Sequence, residues 1–188
     1  MFKEIFLRLT ELIFKPAEAW TAAPREDGEH EEFLSHYVYP LIGMIALSAF
    51  LGVLFNRKEF DLIIALKSAI MALISSGGGF FLGAWLLDEV CRGMFRRPKN
   101  MKRSQLFVGY ASAVMFLLKI ILSLLPEFFF LHVVVLYTAY IIWEGALPFM
   151  QVREDEQLKF TIYASVIIML SPHAIYFALF QLMPGMRL

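Results

Sequence analysis

Apolar residues in this chain gather into five long runs, and within each run they occupy every helical face rather than one. The clearest, Tyr37 to Phe55, reads YVYPLIGMIALSAFLGVLF, and the others cover approximately residues 62–87, 106–125, 128–147 and 160–183. At about 1.5 Å of rise per residue, a helix of ~20 residues covers roughly 30 Å, the thickness of a bilayer's hydrocarbon core. A helix in a water-soluble protein meets solvent on one side and has no need to be apolar all round. The pattern therefore predicts an all-α, polytopic membrane protein with five transmembrane helices. Short polar segments separate the runs: NRKEFD after the first, Asp88 to Gln105 after the second, and QVREDEQLK before the fifth. The third and fourth runs meet at Pro126 and Glu127, where proline ends a helix and a carboxylate prefers the interface, so they are expected to form a tight hairpin.

A different period governs the beginning of the chain. Phe2, Ile5, Phe6, Leu9, Leu12 and Ile13 recur at helical spacing, with Lys3, Glu4, Arg8, Glu11 and Lys15 mostly on the other face. The segment is too short and too charged to cross. Two placements bury the same stripe: an interfacial helix on the inner leaflet, ended by Pro16, or a helix packed on the cytoplasmic ends of the bundle. PREDGEHEE, Pro24 to Glu32, reads as an acidic linker. The expected division is thus a cytoplasmic amphipathic helix and linker over 1–36 and a transmembrane domain over 37–188. A cleaved signal peptide needs an unbroken apolar run after its basic start. Lys3, Glu4, Arg8 and Glu11 interrupt that run, so the N-terminus is expected to stay on the mature chain.

Composition strengthens the membrane reading, because 59% hydrophobic residues, 18% charged residues and a mean hydropathy of +0.64 cannot be folded into a soluble core without leaving much apolar surface outside. The net charge of zero gives no reason to expect nucleic acid. Local charge is informative, however. Arg92, Arg96, Arg97, Lys99, Lys102 and Arg103 crowd the loop between the second and third runs, and Lys3, Arg8, Lys15 and Arg25 fall on the same side. Arg57, Lys58 and Arg187 fall on the other. The positive-inside rule then puts the N-terminus in the cytoplasm and the C-terminus on the opposite side.

Several blocks carry a resemblance to a known family. They are IFKPAEAW (Ile13 to Trp20), YVYPLIGMIAL (Tyr37 to Leu47), VGYASAVMFLLKIILSLLP (Val108 to Pro126), LYTAYIIWEGALPFM (Leu136 to Met150) and KFTIYASVIIML (Lys159 to Leu170). In order and spacing the chain resembles the Yip-one domain family of Ypt/Rab-interacting membrane proteins, and is most similar to its short bacterial members. The resemblance implies five membrane helices, a cytoplasmic N-terminus and a bacterial inner membrane. Eukaryotic members carry a longer acidic N-terminal region with a Gly-Pro motif that has no counterpart before Tyr37, so small-GTPase binding is not carried over.

The costly groups in or near the runs are Lys67, Lys119, Glu127, His132, Glu144 and His173, each of which needs a partner or an interface. Lys119 and Glu127 are expected at similar depth, so either they pair, joined by Lys67, or the lysines snorkel to the headgroups. Glu144 is expected to be neutralised by arginines of the 88–105 loop. Ser75, Gly79 and Gly83 repeat every fourth residue and offer a close helix contact. SSGGG, Ser75 to Gly79, with His173 after Pro172, also suits a midplane site for a substrate or ion. The basic loop suits anionic lipid headgroups as well as topology.

No catalytic signature or zinc spacing is present. The single cysteine, Cys91, excludes an intrachain disulfide, and Asp88 and Glu89 beside it read as helix-end acids rather than metal ligands. No cofactor is expected. The function that follows is non-enzymatic: a membrane-organising, scaffold or trafficking-type factor whose partners are the lipid bilayer and a second copy or another membrane protein. The alternative is a small oligomeric transporter or channel with its site near Ser75 to Gly79 and His173.

Overall fold

The computed structural model of the chain describes residues 2–23, 30–57 and 59–182. Most of the acidic linker (Pro24, Arg25, Glu26, Asp27, Gly28, Glu29), the Phe2 side chain, Lys58 and the end of the fifth run with Arg187 lie outside that description. Among the described residues the regular structure is helical, with no strand. An N-terminal hairpin, α1 (Phe2–Phe14) and α2 (Pro16–Thr21), precedes α3 (His30–Asn56), α4 (Leu62–Phe95), α5 (Met101–Ala111), α6 (Ala113–Leu124), α7 (Pro126–Ala146) and α8 (Gln157–Leu182).

α4 is the axis of the bundle and packs against α3, α5 and α8. Asp61 starts it by accepting from the amides of Ile63 (2.8 Å) and Ile64 (3.2 Å), which satisfies two of the orphan donors of a helix N-terminus. Its 34 residues cover roughly 50 Å, well beyond one bilayer core. The extra length continues as Leu87, Cys91 and Phe95, all buried, so the C-terminal end of α4 leaves the apolar-all-round regime and becomes a one-faced helix. Arg96, with φ 51°, turns the chain out of the helix in the left-handed conformation.

Small residues set the closest approaches. A Cβ on Gly79 would stand 2.5 Å from Cα of Pro172, and one on Gly52 would stand 2.0 Å from the Ser123 carbonyl oxygen. Thus α4 touches α8, and α3 touches α6, backbone to backbone. Gly83 is looser, with Ser171 Oγ at 3.4 Å and Val108 Cγ1 at 3.6 Å from its virtual Cβ. Asn56 ties the α3–α6 contact by donating to Gly52 O (2.8 Å) and Leu124 O (3.1 Å). Ser48, Gly52 and Asn56 form a second four-residue ladder.

Four helices, α3, α4, α7 and α8, are each long and apolar enough to cross a membrane. The third run is not one straight helix. It bends by 47° between α5 and α6, so a fifth crossing exists when that pair is counted as one. With 11 and 12 residues, each half covers only roughly 16–18 Å and cannot cross alone. Ser112, at φ −78° and ψ 0°, carries the break, and serine with nearby glycine, here Gly109, is a usual setting for such kinks. α7 begins as a 3-10 helix over Pro126–Leu136, whose 11 residues at ~2.0 Å of rise cover roughly 22 Å, and becomes α-helical from Tyr137. No residue of its 3-10 part is buried.

The outside of the bundle is apolar, with Leu47, Leu66, Leu73, Val133, Leu136, Ile162, Val166, Leu170 and Phe177 exposed. Only lipid makes such a surface stable, since the helices satisfy their own backbone groups and leave apolar side chains outward.

Candidate functional site

Two places in the fold concentrate chemistry. The first is the N-terminal hairpin. Pro16 opens α2 at a position where its missing N–H costs nothing, and the turn delivers Trp20 into the bundle. Trp20 is fully buried. Its Nε1 donates to Ile141 O at 2.8 Å, its rings stack on Phe107 at 4.9 Å, and Phe149 lies at 5.1 Å. Gly145 makes the seat, because a Cβ there would lie 2.5 Å from Trp20 Cε2. Tyr137 finishes the clamp by donating its hydroxyl to Ile13 O (2.8 Å), one of the orphan carbonyls at the end of α1.

The stripe Ile5, Leu9 and Leu12 is buried against the bundle, while Phe6 is 71% exposed, Leu7 53% and Phe14 79%. α1 therefore has two apolar faces, one docked and one turned outward. Beside it the Arg8 guanidinium lies 6.0 Å from the centre of the Tyr110 ring, and a cavity of about 350 Å³ opens between α1, α3 and α5. Phe33, Tyr37 and Tyr110 line it, with ring centres 4.7–5.4 Å apart, and the Tyr37 hydroxyl is buried without a hydrogen-bond partner. Gly109 admits Phe33 as Gly145 admits Trp20, its virtual Cβ standing 2.4 Å from Phe33 Cζ.

The second place is the polar interior of the bundle. Lys119 Nζ turns inward and donates to Ser76 Oγ at 3.0 Å. The pairing of Lys119 with Glu127 is not formed: Glu127 is exposed at the first turn of α7, and among the described residues neither it nor Lys67 makes an ion pair. Nor do the loop arginines reach Glu144, which instead faces the Tyr140 hydroxyl one turn earlier on α7. His173 is exposed with Nδ1 on Met169 O at 2.9 Å, and His132 is exposed with Nδ1 on Phe129 O at 2.7 Å. Two cavities, of about 230 and 250 Å³, share Ser75, Lys119 and Tyr176, and the second adds Pro172 and His173. Ser75, Lys119 and His173 are thus brought together; Lys67, Glu127 and Glu144 are not.

The basic loop is partly consumed by the fold. Arg92 pairs with Glu89, Lys99 lies 3.8 Å from the same carboxylate, and Arg97 and Arg103 donate to the carbonyl oxygens of Gln151 and Phe149. Those carbonyls follow the C-terminal end of α7, where cations are favoured. Asp88 is buried and accepts from the Asn100 amide (2.9 Å) and Ser104 Oγ (3.3 Å), which pins the start of α5 to α4. Arg96 and Lys102 remain exposed and outside any ion pair among the described residues. No cluster of His, Cys, Asp and Glu among the described residues has the arrangement of a metal site.

Sequence reading missed Trp20, Tyr137, Gly109 and Gly145 as functional positions. The signal was present: IFKPAEAW and LYTAYIIWEGALPFM meet in space through Trp20, Ile141 and Gly145, and VGYASAVMFLL supplies Tyr110 beside Arg8. Three of the blocks that carry the resemblance meet around Trp20, through Ile141, Gly145 and Tyr110.

A bundle of apolar-surfaced helices with no strand among the described residues defines a multi-pass, all-α integral membrane protein. The model of the Yip1 domain matches residues 10–176, and the chain belongs to that family. Comparisons with curated proteins and with solved structures find no match.

Proposed function

We propose that the protein organises its membrane as a scaffold or trafficking-type factor, through helix packing and contacts with lipid or another membrane protein rather than by catalysis. The observation that carries this reading is the double apolar face of α1. Trp20 and Tyr137 fix the hairpin to the bundle, so Phe6, Leu7 and Phe14 are held facing outward from its surface. A helix so held enters the headgroup–acyl boundary by about 5–10 Å and spreads one leaflet without crossing it. In this reading residues 1–36 lie on the cytoplasmic side of a bacterial inner membrane, residues 37–188 form the transmembrane domain, and the C-terminus lies opposite. α3 runs through residue 36, with a π-helical turn over Leu34–Val38, so the boundary between the two parts falls inside a helix.

Spin labels test it. With Cys91 replaced by serine, labels at Phe6→Cys and Phe14→Cys in liposomes are expected to be accessible to oxygen and shielded from a water-soluble nickel reagent, whereas a label at Glu18→Cys is accessible to nickel. Equal nickel accessibility at all three positions rejects the membrane-held helix. Vesicles carrying the wild type are then expected to be smaller than those carrying Phe6→Ser/Phe14→Ser.

The transporter reading is favoured by one observation, the pair of cavities that meet at Ser75, Lys119 and Tyr176. Gly79 is occupied by Pro172, so the glycine run serves the helix contact and leaves the serines to a ligand. Loss of ion or solute flux in His173→Ala, with the fold intact, supports it; absence of flux in the wild type across a broad panel removes it.

A further inference from the structure

We infer that Lys119 is the head-group anchor of a site for an acidic amphiphile, a single carboxylate or phosphate head carrying an acyl tail, which enters sideways from the bilayer. A lysine near the end of an apolar helix ordinarily extends along its stem to place the ammonium among the headgroups. Lys119 does the opposite. Its Nζ is directed into the bundle onto the Ser76 hydroxyl at 3.0 Å, and no carboxylate of the described residues pairs with it. An ammonium has three donors, and Ser76 takes one. Two are left at the meeting point of cavities of about 230 and 250 Å³.

The walls of those cavities suit an anion. Ser68, Ser75, Ser123 and Tyr176 are among the lining residues, Ser75 Oγ also donating to Ala72 O at 3.4 Å, and no acidic residue lines either cavity. A positive charge in a bilayer without a counter-ion is costly, and a bound acid supplies the counter-ion the chain does not. The walls also lead outward. Ile74 and Phe177, next in sequence to Ser75 and Tyr176, are exposed on the apolar surface, and Tyr176 and His173 are exposed at the rim. A tail leaving the site therefore lies on protein surface already facing lipid. The combined space holds a head group and a few methylenes, not a whole lipid, so the remainder of the tail stays in the bilayer.

The test is native mass spectrometry of the full-length protein, released from nanodiscs of phosphatidylcholine doped with dioleoyl phosphatidylglycerol, oleate or sodium phosphate in separate arms. Lys119→Met keeps the stem and removes the charge; Lys119→Arg keeps both charge and donors. The expected result is one acidic amphiphile retained per chain in the wild type and in Lys119→Arg, with at least tenfold weaker retention in Lys119→Met. Retention of phosphatidylglycerol but not oleate identifies a phosphate head, and the reverse identifies a carboxylate. Equal retention by Lys119→Met and wild type overturns the site, as does retention of phosphatidylcholine in place of both acids. Retention of inorganic phosphate with no preference for either amphiphile overturns the acyl part. Should Lys119→Met fail to fold, Ser123→Leu, which fills the cavity from the same helix one turn beyond Lys119, is expected to give the same loss; undiminished retention in a folded Ser123→Leu overturns the proposal.

Discussion

Removing the Trp20 side chain is expected to release the N-terminal hairpin while leaving the bundle folded. Trp20 is fully buried, its indole sits in the notch made by Gly145, and its Nε1 bond runs to Ile141 O. A buried tryptophan covers about 150–250 Å², worth roughly 4–6 kcal/mol at ~25 cal/mol per Å², and the hydrogen bond adds about 1 kcal/mol. Truncation to alanine leaves part of that contact, so Trp20→Ala is expected to cost about 3–5 kcal/mol. The cost falls on docking, because Trp20 holds α2 to α7 and does not lie in the α4–α8 or α3–α6 seams. At ~1.4 kcal/mol per decade, the hairpin's opening constant rises roughly a hundredfold to several-thousandfold. Trp20→Phe keeps the stack on Phe107 and loses mainly the hydrogen bond, for a rise of roughly fivefold. Hydrogen exchange in nanodiscs reads this directly from amides of residues 2–21. Gly145→Ala should act on the same contact and add little in the Trp20→Ala background, since both disrupt one seat. The reasoning is refuted if exchange in 2–21 is unchanged in Trp20→Ala, or if α4 and α8 lose protection to the same degree as the hairpin.

Two further perturbations separate the kinds of contact in the bundle. Gly79→Ala forces a Cβ to within 2.5 Å of the Pro172 backbone and is expected to destabilise by several kcal/mol, whereas Gly93→Ala meets nothing within 4 Å and is expected to be neutral or to stabilise by up to about 1 kcal/mol; thermal unfolding in mild detergent ranks the pair. Asp61→Ala removes the cap at the start of α4 and is expected to cost about 1 kcal/mol, with Asp61→Asn retaining most of it, measured in the same assay.

What could be read in advance followed from local pattern. Continuous apolarity located the apolar helices, and of the four-residue series Ser75, Gly79 and Gly83 it is Gly79 that sits backbone to backbone against Pro172. The same spacing recurs in Ser48, Gly52 and Asn56, inside a run whose continuous apolarity masks it. The ends of the helices were less legible. α3 begins at His30 and α4 continues to Phe95, because backbone hydrogen bonding carries a helix past the membrane-length segment wherever one buried face remains. The break at Ser112 and the 3-10 stretch of Pro126–Leu136 depend on what packs beside them, which no local pattern encodes. Charges were misplaced for a related reason. Lys119 and Glu127 are close in sequence, but depth along an axis says nothing about direction around it, and Lys119 points into the bundle while Glu127 points out. Arg97 and Arg103 each spend a donor on a carbonyl of the turn after α7, a partner that no local pattern names.

The seat of Trp20 also fixes an order of events in time. Its hydrogen-bond acceptor lies 121 residues further along the chain, and the Gly145 notch follows the acceptor. At about 5–20 residues per second of synthesis, the ribosome needs roughly 6–25 s between delivering the indole and delivering its socket. Over that delay the first three apolar runs are made, and α1 is without its contact to Tyr137. During biogenesis the Trp20 indole therefore has Phe107 to stack on well before its hydrogen-bond acceptor and its glycine notch exist, and the hairpin is locked only when α7 arrives.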